Sequence, residues 1–125
     1  MKKWLVGFVA IITVFALTAC SSDEKEGYST IQIDEVAQKM EEGYIVLDVR
    51  EVNEFAEGHI PGAQNKSLSA LQANDYSELS KDENYIIICR SGNRSQTASD
   101  ILQIEGYSIV NVAQGMSSWT GDVEK

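Results

Sequence analysis

The chain has 125 residues, 10 basic and 19 acidic, for a formal charge of −9, and it is 43% hydrophobic and 23% charged. That balance argues against nucleic acid as a partner, because neutralising phosphates needs clustered Lys and Arg, and here they are outnumbered and scattered. A single Pro and nine Gly set aside fibrous and low-complexity chains, and the length suits one globular domain.

The first residues differ from the rest. Lys2 and Lys3 precede an uncharged stretch over 4–19, the order of a positive n-region and an apolar h-region in a secretory signal. The stretch is shorter than the roughly 20 residues that span a bilayer. It closes with Leu17-Thr18-Ala19-Cys20, which is similar to the lipobox of bacterial lipoproteins, where the Cys is lipidated and becomes the new N-terminus. The reading is therefore a signal peptide over 1–19 with lipidation at Cys20, the alternative being an uncleaved anchor. Either places the domain outside the cytoplasm, tied to a membrane. Removing 1–19 takes away Lys2 and Lys3 and leaves 8 basic against 19 acidic residues, a charge of −11. Anionic headgroups repel such a body, so the expected membrane contact is the N-terminal lipid alone. Residues 20–27, polar and without periodicity, read as the lipidated Cys and a solvated tether, and the folded domain is expected over 28–125.

Along the domain, Val36, Ala37 and Met40 fall at helical spacing behind acidic Asp34 and Glu35, with Gly43 just beyond, and predict a short helix over 34–40. Residues 44–49 (YIVLDV) form an apolar, β-branched run too short for a buried helix and predict a strand. A helical turn is expected over 51–57. The segment 58–63 (GHIPGA), with two Gly and the Pro, reads as a fixed loop, and 67–79 as a weaker amphipathic stretch. A second buried strand over 85–88 (YIII) runs into Cys89, a helix follows over 95–105 with Ala98, Ile101 and Leu102 on one face, and 107–112 returns as a strand. Short apolar strands alternating with helices predict an α/β fold, a small parallel sheet with helices on both faces. Ligands in such sheets bind beyond the carboxyl ends of the strands, which is where Cys89 falls.

The run Cys89-Arg90-Ser91-Gly92-Asn93-Arg94-Ser95 joins that strand to that helix. Backbone N–H groups curling around the sulfur and the positive end of the helix would stabilise a negative charge at the centre of the loop. Such surroundings lower a Cys pKa from about 8.5 toward ~3.5–7.5 and make the thiolate available near neutral pH. Gly92 lets the backbone turn inward without a Cβ.

These residues carry a resemblance. Asp48-Val49-Arg50 at a strand end, Gly58-His59-Ile60-Pro61-Gly62-Ala63, the loop 89–95, and the closing Gly115-Met116 with Trp119 occur in the order and spacing of the single-domain rhodaneses, over about residues 28–120. Gln114 stands where many members have the first Gly of a pair. The resemblance implies a rhodanese-like fold and a sulfurtransferase in which Cys89 takes the outer sulfur of an anionic donor such as thiosulfate, holds it as a persulfide, and passes it to a thiol, a protein or cyanide. It implies that the amides of Arg90, Ser91, Gly92, Asn93, Arg94 and Ser95 bind the persulfide, and that the Arg90 and Arg94 side chains attract and orient the donor. A second reading is a non-enzymatic binding or sulfur-carrier module at the membrane surface. A third is a Cys-dependent phosphatase or arsenate reductase, whose loops place five residues between Cys and Arg where this chain places four.

Plainer readings stand beside these. A Cys after an apolar strand is commonly an inert core residue. With Cys20 lipidated, Cys89 is the sole remaining thiol, which excludes an intramolecular disulfide and a CxxC redox cycle. His59 in its Gly-flanked loop reads as a structural hydrogen-bonder rather than a general base, and Asp48 with Arg50 as a salt bridge fixing the loops. No metal-ligand spacing and no dinucleotide fingerprint occurs, so neither a metal nor a cofactor is expected.

Overall fold

The computed structural model describes residues 24–25 and 27–125. The signal peptide over 1–19 and the lipidation site Cys20 lie outside the described residues. The elements are β1 (Glu24–Lys25), β2 (Tyr28–Ile31), α1 (Val36–Glu41), β3 (Ile45–Asp48), α2 (Val52–Glu57), β4 (Gln64–Asn65), α3 (Leu68–Gln72), β5 (Asn84–Ile88), α4 (Arg94–Ile104) and β6 (Ser108–Val112). Single 3-10 turns at Ile33–Glu35 and Met116–Ser118 precede α1 and follow β6, and beyond the second Glu124 exchanges backbone hydrogen bonds with His59. The strands form one sheet in the order β1-β2-β6-β5-β3-β4, with every pair parallel except β1 with β2.

The continuous apolar runs of β3 and β5 are explained by burial on both faces, since parallel strands covered by helices on either side have no solvent face to mark with polar residues. Period-two alternation then divides the core in two. Leu47, Val49, Tyr85, Ile87 and Cys89 face Leu71 of α3 with Ala98 and Leu102 of α4, whereas Val46, Ile86, Ile88 and Val112 face Val36 of α1 and Ile60 of the GHIPGA loop. Cys89 thus extends the α4-facing side of β5 by one step and is 1% exposed. Ile88 at the middle of the sheet pairs with Asp48, so the loops after β3 and β5 leave the sheet side by side.

Several elements differ from expectation. No strand was predicted over 28–31, yet β2 pairs in parallel with β6, and Tyr28 is buried with its hydroxyl donating to Asp100 Oδ1 at 2.7 Å. Within the stretch read as tether, the backbone of Glu24–Lys25 pairs with Ser29 and Tyr28. The amphipathic stretch over 67–79 yields only five helical residues: Ser67 caps α3 by accepting from the Ala70 amide at 3.2 Å, and the helix ends before Asn74, which has a φ of 60°. A left-handed residue cannot continue a right-handed helix.

Candidate functional site

β5 delivers Cys89 to the point where the chain leaves the sheet, and the loop 89–95 folds around its sulfur before α4 begins at Arg94. The Gly92 amide donates to Cys89 Sγ at 3.1 Å. Burial, the strongest single influence, pushes the thiol pKa up; the polar groups around the sulfur, the Ser95 hydroxyl and the amides of Ser95, Gly92 and Ser91, together outweigh it and leave the group below its ordinary value. Ser95 and Gly92 are buried with the sulfur, while Arg90, Ser91 and Asn93 are exposed at the rim. Of the loop amides, that of Gly92 is hydrogen-bonded to the sulfur, while the Ser95 hydroxyl, buried beside it, donates to the Gly92 and Val112 carbonyls at 3.4 and 3.5 Å.

The loop owes its shape to two close backbone approaches. Gly92 has a φ of +95°, and a Cβ there would stand 2.3 Å from the Ala113 carbonyl oxygen. At Gly115 a Cβ would meet the Arg90 carbonyl carbon and oxygen at 2.3 Å. This proximity lets the closing turn hold the loop from outside: the Met116 amide donates to the Cys89 carbonyl at 2.8 Å, and the Ser117 amide and hydroxyl donate to the Arg90 carbonyl at 3.0 and 2.8 Å. Gln114 reaches the other way, accepting from the Ile33 amide at 2.9 Å and donating to Gln32 at 2.7 Å, which anchors the turn to the segment after β2.

The neighbouring loops are fixed by charge pairs. The Arg50 guanidinium, 7% exposed, donates through Nε and Nη2 to the fully buried Asp48 carboxylate at 2.7–3.0 Å and through Nη2 to the Gly58 carbonyl at 2.8 Å. It joins the end of β3 to the GHIPGA loop, the loop-fixing bridge expected from sequence. His59 stacks on Phe55 with ring centroids 3.6 Å apart, its Nδ1 lies 2.9 Å from the Phe55 carbonyl, and Glu124 stands 3.4 Å from Nε2. This is a structural setting for the imidazole. Among the described residues no cluster of three His, Cys, Asp or Glu side chains could hold a metal ion.

One site residue departs from expectation. Both guanidinium groups of the loop were expected to serve an anionic donor, but Arg94 is gripped by Glu54 of α2, Nη1 to Oε1 at 2.6 Å and Nη2 to Oε2 at 2.9 Å. A bidentate pair of this kind is strong and directional. The Arg94 hydrogen bond is the main cause that holds the Glu54 carboxyl down at about 2, so the pair stays charged and matched across the physiological range. Glu54 was missed by sequence reasoning. The only signal was its place three residues after Glu51, where it caps α2 by accepting from the Glu51 amide at 3.2 Å; its partner lies 40 residues away. Beside the loop opens a pocket of about 330 Å³ whose lining includes Arg50, Glu54, Glu57, Arg90, Met116 and Val123.

A largely parallel α/β domain with a buried cysteine in a strand-to-helix loop, at the carboxyl end of a central strand, defines a class of cysteine-loop domains. Residues 32–122 match the model of the rhodanese-like domain, and the chain belongs to that family. It is 38% identical over 96 residues to the Bacillus subtilis protein named "Putative sulfurtransferase YtwF", covering 77% of this chain and 91% of that one. It is 34% identical over 107 residues to "Putative sulfur carrier protein YrkF" of the same organism, covering 83% of this chain; the match spans only 57% of that relative. Among solved structures, a rhodanese-related protein of Thermoplasma volcanium superimposes with a TM-score of 0.71 at 34% identity, over 78% of this chain and 98% of that one.

Proposed function

We propose that the domain is a sulfurtransferase that carries sulfane sulfur as a persulfide on Cys89. The observation that supports this most is the Gly92 amide donating to a single buried sulfur at the carboxyl end of β5, in surroundings that hold the thiol below its ordinary value, which favours an anion there whether the anion is a thiolate or the outer sulfur of a persulfide. In the first half-reaction the Cys89 thiolate forms a bond to the outer sulfur of a donor such as thiosulfate. The donor's S–S bond breaks and its electron pair leaves on sulfite. In the second, an acceptor thiolate or cyanide attacks the outer persulfide sulfur and the pair returns to Cys89. The amides of Arg90, Ser91, Gly92, Asn93, Arg94 and Ser95 are the binding set for the persulfide, and Arg90 is the side chain that meets the donor.

The likeness to a sulfur carrier protein and the engagement of Arg94 by Glu54 favour a second reading, a carrier that loads one sulfur and surrenders it only to a dedicated protein. Continuous thiocyanate formation from thiosulfate and cyanide separates the two. Many turnovers that vanish in Cys89→Ser support the enzyme, and a single stoichiometric release supports the carrier. Phosphatase chemistry lacks support, because the Arg94 fork that would clamp a phosphate is occupied. Localisation is part of the same proposal: lipid on Cys20 holds the domain outside the cytoplasm, at about 0.8 kcal/mol of membrane affinity per buried CH₂. Metabolic labelling with a fatty acid should be lost in Cys20→Ala, and equal labelling of variant and wild type would overturn it.

A further inference from the structure

A cavity of about 510 Å³ opens where α1 meets the GHIPGA loop and the residues after the second 3-10 turn, and it shares no lining residue with the pocket that holds Arg90. Its floor is Met40, Ile60, Pro61 and Trp119; Ile60 is buried, and Met40 and Trp119 pack on the core cluster to which it belongs. Glu41 and Asp122 stand at the rim, both exposed. A second cavity of about 290 Å³ shares Trp119 and adds the exposed Asp34. Among the described residues these three carboxylates form neither ion pairs nor hydrogen bonds, and Lys39, the cation of α1, is engaged by Glu42 at 3.7 Å and over the Tyr44 ring at 5.1 Å. Trp119 is fixed in advance. Its Nε1 donates to the Asp122 carbonyl at 2.9 Å, and a Cβ on Gly121 would stand 2.5 Å from its Cζ2, so the backbone of 121–122 clasps one edge of the indole. A ring held this way loses little entropy when a partner lands on it.

Charge selects what covers this face. A second copy of the chain brings a charge of −9, and an anionic lipid surface or a nucleic acid is negative too, so the three carboxylates repel each of them. A cation next to an apolar side chain is attracted twice, by the carboxylates of the rim and by the apolar floor with its indole. We propose that this face docks a basic protein segment, which seats an apolar side chain against Met40, Ile60 and Trp119 and sets its flanking lysines or arginines against Glu41 and Asp122. The surface adjoins the turn that holds the cysteine loop, since Trp119 follows by three residues Met116, whose amide donates to the Cys89 carbonyl. The assignment goes beyond sulfur transfer and does not depend on it.

The test uses the full chain on phosphatidylcholine vesicles with Trp4→Phe, which leaves Trp119 as the one indole. The probe is an amidated peptide of one leucine flanked on each side by two lysines, titrated at low ionic strength. Two comparison peptides carry serine in place of the leucine and glutamates in place of the lysines. The lysine–leucine peptide should shift Trp119 emission to the blue and shield the indole from acrylamide, and neither comparison peptide should do so. An exposed ion pair contributes little alone but its reversal adds repulsion, so Glu41→Lys and Asp122→Lys should each weaken binding about fivefold. Glu83→Lys, an exposed reversal outside the cavity with the same change in net charge, should weaken it less than about twofold. Absence of binding, equal weakening by all three reversals, or binding that leaves Trp119 open to acrylamide would overturn the proposal. So would an indole already shielded before peptide is added, because a second copy or the chain's own N-terminal residues would then hold the face. Sulfur uptake by Cys89 is a separate measurement, so either reading can fail while the other stands.

Discussion

Replacing Gly92 with Ala tests the packing that shapes the loop. The new Cβ meets two costs: a φ of +95° that L-residues avoid, and a contact of 2.3 Å with the Ala113 carbonyl oxygen. The first costs about 1–2 kcal/mol and the second, as overpacking against backbone that cannot rotate away, about 1–3 kcal/mol. A total of about 3 kcal/mol at a urea slope of about 1.5 kcal/mol/M moves the unfolding midpoint down by about 2 M. Gly43→Ala is the control, because Gly43 has a φ of +96° and nothing within 4 Å of its Cβ position, so it incurs the first cost alone. The two variants should differ by the clash. Displacing residue 92 also lengthens its 3.1 Å amide contact to the sulfur, so the pH midpoint for Cys89 alkylation should rise in Gly92→Ala and stay put in Gly43→Ala. Equal destabilisation of the two variants, or an unmoved alkylation midpoint in Gly92→Ala, would refute the argument.

Two further outcomes follow from the same site. Ser95→Ala removes a buried hydroxyl beside the sulfur that holds the thiol down, so the alkylation midpoint of Cys89 should rise, and an unchanged midpoint would remove Ser95 from the groups that tune the thiol. Glu54 has a folded pKa near 2 against an ordinary 4.5, so its contribution to stability is fully present above pH 4.5 and is lost as pH falls toward 2. Urea titrations between pH 5 and 2.5 should therefore show a steeper loss of stability for wild type than for Glu54→Gln, and parallel curves would contradict the pairing with Arg94.

Much of the fold was legible because burial leaves a mark on sequence. The runs at 44–49 and 85–88 announced two-faced central strands, and Ala98 and Leu102 announced the face of α4 that covers them. What escaped was set by partners distant in sequence. β2 has Ser29 and Thr30 in the middle of only four residues and becomes a strand by pairing with β6 some 80 positions later, and β4 is two residues at the sheet edge. In the site, Cys89, Gly92 and Ser95 were readable from one contiguous loop, whereas the commitment of Arg94 to Glu54 depends on how α2 and α4 approach each other. Gln114, a departure from the family pattern, forms hydrogen bonds that no Gly could make.

The central claim, that Cys89 bears the transferred sulfur, is tested most directly by the mass of the purified protein after incubation with a sulfane donor. Wild type should gain one sulfur atom, localised to the peptide containing Cys89 and removed by cyanide as thiocyanate, while Cys89→Ser gains none. A wild-type mass that stays unchanged with thiosulfate, or an added sulfur that persists in Cys89→Ser, would contradict it.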